Sequence, residues 1–269
     1  MEEFMIKNIF CDLDGTLYRD GISDKDKQAI RDAKEAGIKF NIATGRVIDH
    51  SLSIMEDLNL DSYLIVENGS YIYDNKMECF YRGVLSDLSI NKIIETYNKF
   101  DFIDPKEEVI YFKYDGKVIM PEDGSKAEYL SRGFSIDPTI VTRQVYESKV
   151  GNIGVVCTDP EKLAKMIGEF SLALGPDVEV YASSETTLNI VPRGISKFDA
   201  IKLVCKREGI SLEEVSTIGD SANDISMLKN VRYSFAMENS SPAVKSSASF
   251  ETPSVADAIK TIIDLNAQE

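Results

Sequence analysis

The sequence predicts an α/β protein, a parallel-sheet core interrupted by an inserted α+β unit. Three observations carry this expectation. Short apolar runs alternate with helical patterns up to Arg82, a different pattern follows, and the alternation resumes after Pro192. In the first stretch, residues 6–11, 39–43 and 63–66 are short and apolar, as buried strands are. Between them, Ser23 can cap a helix that runs through Ile30 and Ala33 and stops at Gly37. Val47, Leu52, Met55 and Leu58 have helical spacing and predict a second helix over 47–58. Apolar strands separated by helices belong in a parallel sheet with both faces covered.

The middle stretch reads differently. Ile90, Ile93, Ile94 and Tyr97 form one helix face. Residues 109–112 and 118–120 flank Asp115-Gly116, a hairpin signal. Residues 152–157 predict a strand, and Asp159-Pro160 caps and opens a helix to about Leu174. Two more strands are expected at 178–181 and 188–191, while 121–148 carries no readable pattern. Beyond Pro192 come a helix over 197–208, a strand at 215–218, a helix from Ile225, a strand at 233–236 and a helix over 256–265. The expected organisation is a discontinuous core of residues 1–82 and 189–269, with residues 83–188 as the insert.

Composition bounds the function. The 269 residues are 43% apolar and 28% charged, which suits a globular chain with room for two units. A net charge of −15 repels nucleic acid and anionic membrane, so neither is expected as a partner. No apolar run approaches the roughly 18 residues of a membrane span, and Met1-Glu2-Glu3-Phe4 lacks the basic end of a signal peptide. Cys11, Cys79, Cys157 and Cys205 are far apart and read as free thiols in a reducing cytoplasm. His50 is the one histidine, which argues against a zinc site and a histidine-based hydrolytic triad.

Four segments carry chemistry. Asp12 and Asp14 lie just beyond the first strand, at the edge where open α/β sheets bind ligands. One carboxylate can attack phosphorus while the other moves a proton; a plain Asp-rich turn bent at Gly15 is the structural alternative. Gly219-Asp220-Ser221-Ala222-Asn223-Asp224 follows another buried strand. Its aspartates can cap a helix, or Asp220 can join Asp12 as a ligand of a hard cation, with Asp224 orienting a water. Thr44-Gly45-Arg46 offers a hydroxyl and N–H groups at a helix start, suited to phosphate or to simple capping. Lys197, opening a helix after Pro192-Arg193-Gly194, is either a solvated lysine or the cation that counters Asp12.

With these residues in order, the sequence resembles the haloacid dehalogenase superfamily of phosphohydrolases. Asp12-Leu13-Asp14-Gly15-Thr16-Leu17 matches its first motif, Thr44-Gly45-Arg46 the second, Lys197 the third, and Gly219-Asp220 through Asn223-Asp224 the fourth. The placement of the insert, Glu67-Asn68-Gly69, and Pro192 through Lys197 are similar to the type IIB, or Cof-like, branch. The resemblance implies a Rossmann-like core with an α+β cap domain. It also implies a Mg2+-dependent phosphatase acting on a small phosphorylated metabolite, with a sugar phosphate as the expected class. Asp12 would be the nucleophile that forms an aspartyl-phosphate, and Asp14 the acid and then the base. Thr44, Gly45, Lys197 and Asn223 would serve the phosphate. Mg2+ would lie on the carboxylates of Asp12 and Asp220 and the backbone carbonyl of Asp14, with Asp224 in support. Arg46, Asn68 and Arg193 are candidate substrate contacts.

Two positions depart from that branch. Phe198 stands where glycine is usual, and Asn189 where an acidic residue is common. A sugar phosphomutase of the same fold is the main rival reading, and a non-catalytic phosphometabolite-binding protein is another. A dehalogenase has no use for Asp14, whose expected task is protonating an alkoxide.

Overall fold

The structure is a computed structural model that describes residues 5–104, 107–122 and 133–268. The chain begins with β1 (Asn8–Cys11), α1 (Asp24–Glu35), β2 (Lys39–Ala43), α2 (Leu52–Asp57), β3 (Leu64–Val66), β4 (Tyr71–Tyr73) and β5 (Cys79–Arg82). It continues through α3 (Asp87–Tyr97), β6 (Val109–Tyr114), β7 (Lys117–Met120), β8 (Ser135–Ile136), β9 (Val150–Val156), α4 (Pro160–Leu174), β10 (Val178–Ser184) and β11 (Thr187–Pro192). The last section holds α5 (Lys197–Glu208), β12 (Val215–Gly219), α6 (Ile225–Asn230), β13 (Tyr233–Met237), α7 (Pro242–Lys245), β14 (Phe250–Thr252) and α8 (Val255–Asn266).

The contacts divide the chain into two compact units. Unit 1 holds residues 1–45, 52–81 and 196–269; unit 2 holds 46–51 and 82–195. Unit 1 contains an eight-stranded sheet ordered β14-β13-β12-β1-β2-β3-β4-β5. From β14 to β3 all neighbours are parallel, and β4 then turns antiparallel to β3. The inner strands of this parallel stretch, β12, β1, β2 and β3, are buried nearly throughout, as their apolar sequences require. Ala200, Ile201, Val204 and Cys205 of α5 and Met227 of α6 pack with Phe10, Ala43 and Ile65. Helix α1 packs against α8 and β2, and α8 against β12. Capping follows the local sequence. Ser23 accepts the Asp26 N–H ahead of α1, Ser196 accepts the Asp199 N–H ahead of α5, and Gly209 ends α5 in the left-handed conformation.

Unit 2 is an α+β layer. Its sheet runs β10-β11-β9-β6-β7-β8, antiparallel except where β8 joins β7. Ile90, Ile93 and Ile94 of α3 and Leu163, Met166 and Phe170 of α4 share one core with Ile110, Phe112, Ile153, Val155 and Ile190 of the sheet. Asp115 and Gly116 have φ of 50° and 80°, the pair of left-handed residues a tight hairpin demands. Strand β11 runs to Pro192, so this sheet extends past the 188/189 boundary expected from sequence.

Two sequence expectations need correction. The helix expected over 47–58 is broken: a short turn covers Ile48–His50 and α2 begins only at Leu52. Val47 packs with Val109, Tyr111, Val118, Met120 and Val156 of unit 2, whereas Ile54 and Met55 are buried in α2 of unit 1. The helical spacing therefore joins side chains that serve two different cores. Strands β4, β5 and β14 were also not expected. They have three or four residues each, too short for alternation to register. Of the segment 121–148 that sequence left unplaced, β8 and a turn at Pro138–Val141 are described, and residues 123–132 lie outside the described residues.

Candidate active site

In unit 1 the chain passes from β1 to β2 and β3 in one direction and from β12 to β13 and β14 in the other. The strand order therefore reverses at β1, and the carboxyl edge at such a reversal is where open sheets bind ligands. Asp12 follows β1, Thr44 follows β2, Glu67 follows β3 and Asp220 follows β12. Because these four strands are parallel, four separate loops meet at one edge.

Lys197 is the hub. Its side chain is fully buried, and Nζ donates to Asp12 Oδ1 and to Asp224 Oδ1, both at 2.6 Å. The other oxygen of Asp224, Oδ2, accepts the backbone N–H groups of Asp220 and Ser221, each at 3.0 Å. Both oxygens of Asp224 thus hold the loop after β12 to the lysine. Gly219 permits this, since a Cβ there would stand 2.6 Å from the Asp224 side chain.

The segment after β1 is a tight turn. Leu13 C=O accepts the Tyr18 N–H at 2.7 Å, and Gly15 N–H donates to Tyr18 C=O at 3.1 Å. Asp14 sits in this turn, half-buried. Gly15 has φ +82°, and a Cβ there would lie 2.3 Å from Asp220 Oδ2, so both torsion and space require glycine. Thr16 Oγ donates to Asp220 Oδ1 at 2.6 Å, and Ser221 Oγ to Asp220 Oδ2 at 3.0 Å. Asp220 is thereby aimed at the turn that carries Asp12. Neither Thr16 nor Ser221 was singled out as a functional residue from sequence. The signal was there in two hydroxyls beside the aspartate motifs, but nothing local showed that they converge.

The remaining candidates fall into two groups. Thr44 is fully buried, with its N–H on Ile65 C=O at 2.9 Å and its C=O on the Asn68 N–H at 3.0 Å. Asn223 Nδ2 donates to Asn68 Oδ1 at 2.9 Å, and a Cβ on Gly45 would stand 3.1 Å from that same oxygen. Thr44, Gly45, Asn68 and Asn223 therefore form one cluster in unit 1. Arg46 and Arg193 belong to unit 2. Arg46 Nη1 donates to His50 C=O at 3.3 Å; Arg193 donates from Nε to Pro176 C=O and from Nη2 to Val178 C=O at 3.4 Å. The structure therefore gives both guanidiniums backbone partners within their own unit.

Charge at the site is unbalanced. Asp12, Asp220 and Asp224 have ligand atoms within 4.8 Å of one another, facing a single lysine. Burial, then the Asp224 charge, pushes the Asp12 carboxyl well above its ordinary range, and Lys197 only partly offsets this. Burial also raises the Asp220 carboxyl. Burial pulls Lys197 down, but Asp12 and Asp224 outweigh it and hold the ammonium above its usual range. Both members of the Asp12–Lys197 pair are raised, which an isolated ion pair would not do. The causes are burial, which penalises ionised Asp12, and the surplus of carboxylates, which repel one another while they hold the lysine charged. Three carboxyl groups against one ammonium leave acidic groups in surplus in a site of oxygen donors. A hard divalent cation fits that donor set and that charge.

A cavity of about 660 Å³ lies elsewhere, lined by residues that include Arg31, Lys34, Lys39 and Asp61. It borders the start of β2, at the opposite edge of the sheet from the carboxylates, so volume alone does not mark the chemistry here.

A family model described as haloacid dehalogenase-like hydrolase matches residues 9–263, and the chain belongs to that family. The chain is 30% identical over 253 residues to the 5-amino-6-(5-phospho-D-ribitylamino)uracil phosphatase of Bacillus subtilis, an alignment covering 93% of this chain and 91% of the relative. It is similar to the crystal structure of a haloacid dehalogenase-like hydrolase from Bacteroides thetaiotaomicron, with TM-score 0.81 and 26% identity over 96% of this chain and 99% of that one. It also shares the fold of a subclass IIB sugar phosphatase, with TM-score 0.79 and 22% identity over 95% and 98% of the two chains. The protein is an enzyme of the phosphoric monoester hydrolase class. Among the described residues, no helix is long and apolar enough to cross a membrane.

Proposed function

We propose that this hydrolase is a Mg2+-dependent phosphatase of a phosphorylated sugar or polyol, working through an aspartyl-phosphate on Asp12. The observation that carries the reading is the buried Asp12, held through Oδ1 by Lys197 in a cluster of three carboxylates. Lys197 fixes the carboxylate in one orientation, so Oδ2 is the oxygen that attacks phosphorus. As that bond forms, the bond from phosphorus to the leaving alkoxide breaks, and Asp14 delivers a proton to the departing oxygen. Asp14, now a carboxylate, takes a proton from water. The resulting hydroxide attacks phosphorus, releasing inorganic phosphate and regenerating Asp12.

Thr44, the N–H groups at Gly45 and the Asn223 amide supply polar groups around the phosphoryl oxygens. Asp224 keeps Lys197 and the loop of Asp220 in place. Asp12, Asp220 and the backbone carbonyl of Asp14 are the groups that would hold Mg2+. When bound, the ion offsets the surplus negative charge and draws electron density from the phosphoryl oxygens. The B. subtilis relative is named for a substrate that carries its phosphate on a ribityl chain, which supports a polyol or sugar phosphate here.

The test is phosphate release from p-nitrophenyl phosphate and a panel of sugar and polyol phosphates, including 5-amino-6-(5-phospho-D-ribitylamino)uracil, with and without Mg2+. Turnover that needs Mg2+ and peaks within the panel is expected. No release from any ester in the presence of Mg2+ would sink the reading. Turnover that depends on an added sugar bisphosphate would point to a mutase instead.

A further inference from the structure

The turn after β3 is unusual in its backbone. Glu67, Asn68 and Gly69 have φ of 52°, 59° and 108°, three left-handed residues in succession of which two carry side chains. Such torsions are disfavoured for L-residues and persist where surrounding contacts impose them. Here the contacts come from three loops. The Asn68 N–H donates to Thr44 C=O at 3.0 Å, in the loop after β2. Asn68 Oδ1 accepts from Asn223 Nδ2 at 2.9 Å, in the loop after β12. Gly69 lies so close to the Ser196 carbonyl, at the start of α5, that a Cβ would come within 2.4 Å of its oxygen. One turn therefore touches the neighbours of Thr44, Lys197 and Asp220 together. Asn68 is 3% exposed, which leaves its side chain little surface to offer a substrate.

Asn223 completes the observation. With Nδ2 on Asn68, its Oδ1 is buried and has no hydrogen-bond partner among the described residues. A buried acceptor without a donor is costly, so the geometry calls for a donor from a water or a ligand hydroxyl, while the second Nδ2 hydrogen is the group that can serve a phosphoryl oxygen.

We infer that Asn68 is a positioning residue. It orients the Asn223 amide toward the phosphoryl site, and its strained turn sets the spacing of the three loops that bear Thr44, Lys197 and Asn223. This rests on the phosphatase reading, and its test separates the two. The experiment compares wild type, Asn68→Gly, Asn223→Ala and the double variant. Glycine tolerates a φ of 59°, so Asn68→Gly deletes the amide without adding backbone strain. Two quantities are read with Mg2+ present: kcat/KM on p-nitrophenyl phosphate, and affinity for inorganic phosphate by calorimetry.

Each single deletion is expected to lower both quantities about tenfold, and the double variant no further, because both remove one coupled unit. Beside these two quantities, the thermal midpoint of Asn68→Gly should stay near that of wild type while phosphate affinity falls, a split that a merely structural role would not give. Wild-type values in Asn68→Gly, losses that multiply in the double variant, or a loss in Asn68→Gly matched by a collapse of its thermal midpoint overturn the inference. Coupled phosphate binding without turnover would overturn the phosphatase reading alone, and turnover with uncoupled losses the positioning role alone.

Discussion

Each unit buries a carboxylate against a lysine, and the two sites differ in charge balance. In unit 2, Glu108 is 3% exposed. Its Oε1 accepts Lys162 Nζ at 2.7 Å and its Oε2 the Asp104 N–H at 2.9 Å. One anion meets one cation, and Lys162 keeps a third of its side chain in solvent. In unit 1, Lys197 has none of its side chain in solvent and faces Asp12 and Asp224, with Asp220 close behind. The first arrangement is closed: every charge has its partner within the protein. The second is a balanced structure only when positive charge arrives from outside. A buried charge surplus lowers stability, so a fold that retains one has another use for it.

The largest expected effect removes the reacting charge. Asp12→Asn should reduce turnover on the order of 10⁴-fold or more, since an amide does not attack phosphorus. Its Oδ1 can still accept from Lys197, and one of the repelling anions is gone, so the thermal midpoint of the metal-free protein should not fall. Near-wild-type turnover in this variant would remove Asp12 from the nucleophile position.

The lysines test the comparison directly. Lys197→Met strands two buried carboxylates and should cost about 3–5 kcal/mol of stability. Lys162→Met leaves Glu108 with the Asp104 N–H and room for water where the half-exposed lysine stood, and should cost about 1–2 kcal/mol. Denaturant unfolding of both variants measures the difference. Equal losses would mean that the two sites are energetically alike.

The pH dependence follows from burial and from the same surplus. Burial raises Asp12 and Asp220 above the values of an unfolded chain, with Asp224 adding to the shift at Asp12. Between the ordinary carboxylate range and those raised values, the folded state binds more protons than the unfolded state. Stability of the metal-free protein should therefore fall as pH rises through that window, and saturating Mg2+ should flatten the slope. Thermal midpoints across pH, with Mg2+ or a chelator, give the answer; a metal-free midpoint that rises through the window would contradict the charge surplus.

The smallest effects come from two left-handed glycines. Gly15→Ala places a Cβ 2.3 Å from Asp220 Oδ2, and should lose turnover about tenfold or more besides costing about 1–2 kcal/mol. Gly209→Ala, at φ +67° with nothing within 4 Å, should cost about 1 kcal/mol and leave turnover unchanged. Kinetics and unfolding of the pair separate strain at the site from strain alone. If both variants keep wild-type kinetics, the contact between Gly15 and Asp220 has no role in catalysis.

Much of the fold was legible because its signals are local. Ser23, Ser196 and Gly209 mark helix ends through contacts with residues a few positions away. Asp115-Gly116 announces its hairpin by side-chain type alone. The reading failed at 47–58, where one helical period runs across residues that pack in two cores, and periodicity does not say against what a face is buried. The site divides the same way. Asp12, Thr44 and Asp220 could be placed at strand ends from the strands themselves, since alternating strands and helices put successive carboxyl ends on one edge.

The sequence by itself determined the chemistry on offer: an aspartate pair after one buried strand, acidic and amide groups after another, and a lysine opening a helix. Tertiary structure decided how they divide the work. Lys197 reaches Asp12 across 185 positions, Thr16 reaches Asp220 across 204, and Asn223 reaches Asn68 across 155. Those contacts hold Asp12 by one oxygen, aim Asp220 at the nucleophile's turn, and join Asn68 to the Asn223 amide. The physical reason is one of range. Capping, turn torsions and strand burial depend on neighbours in the chain, whereas charge balance and the direction of a side chain depend on which loops the parallel sheet brings together.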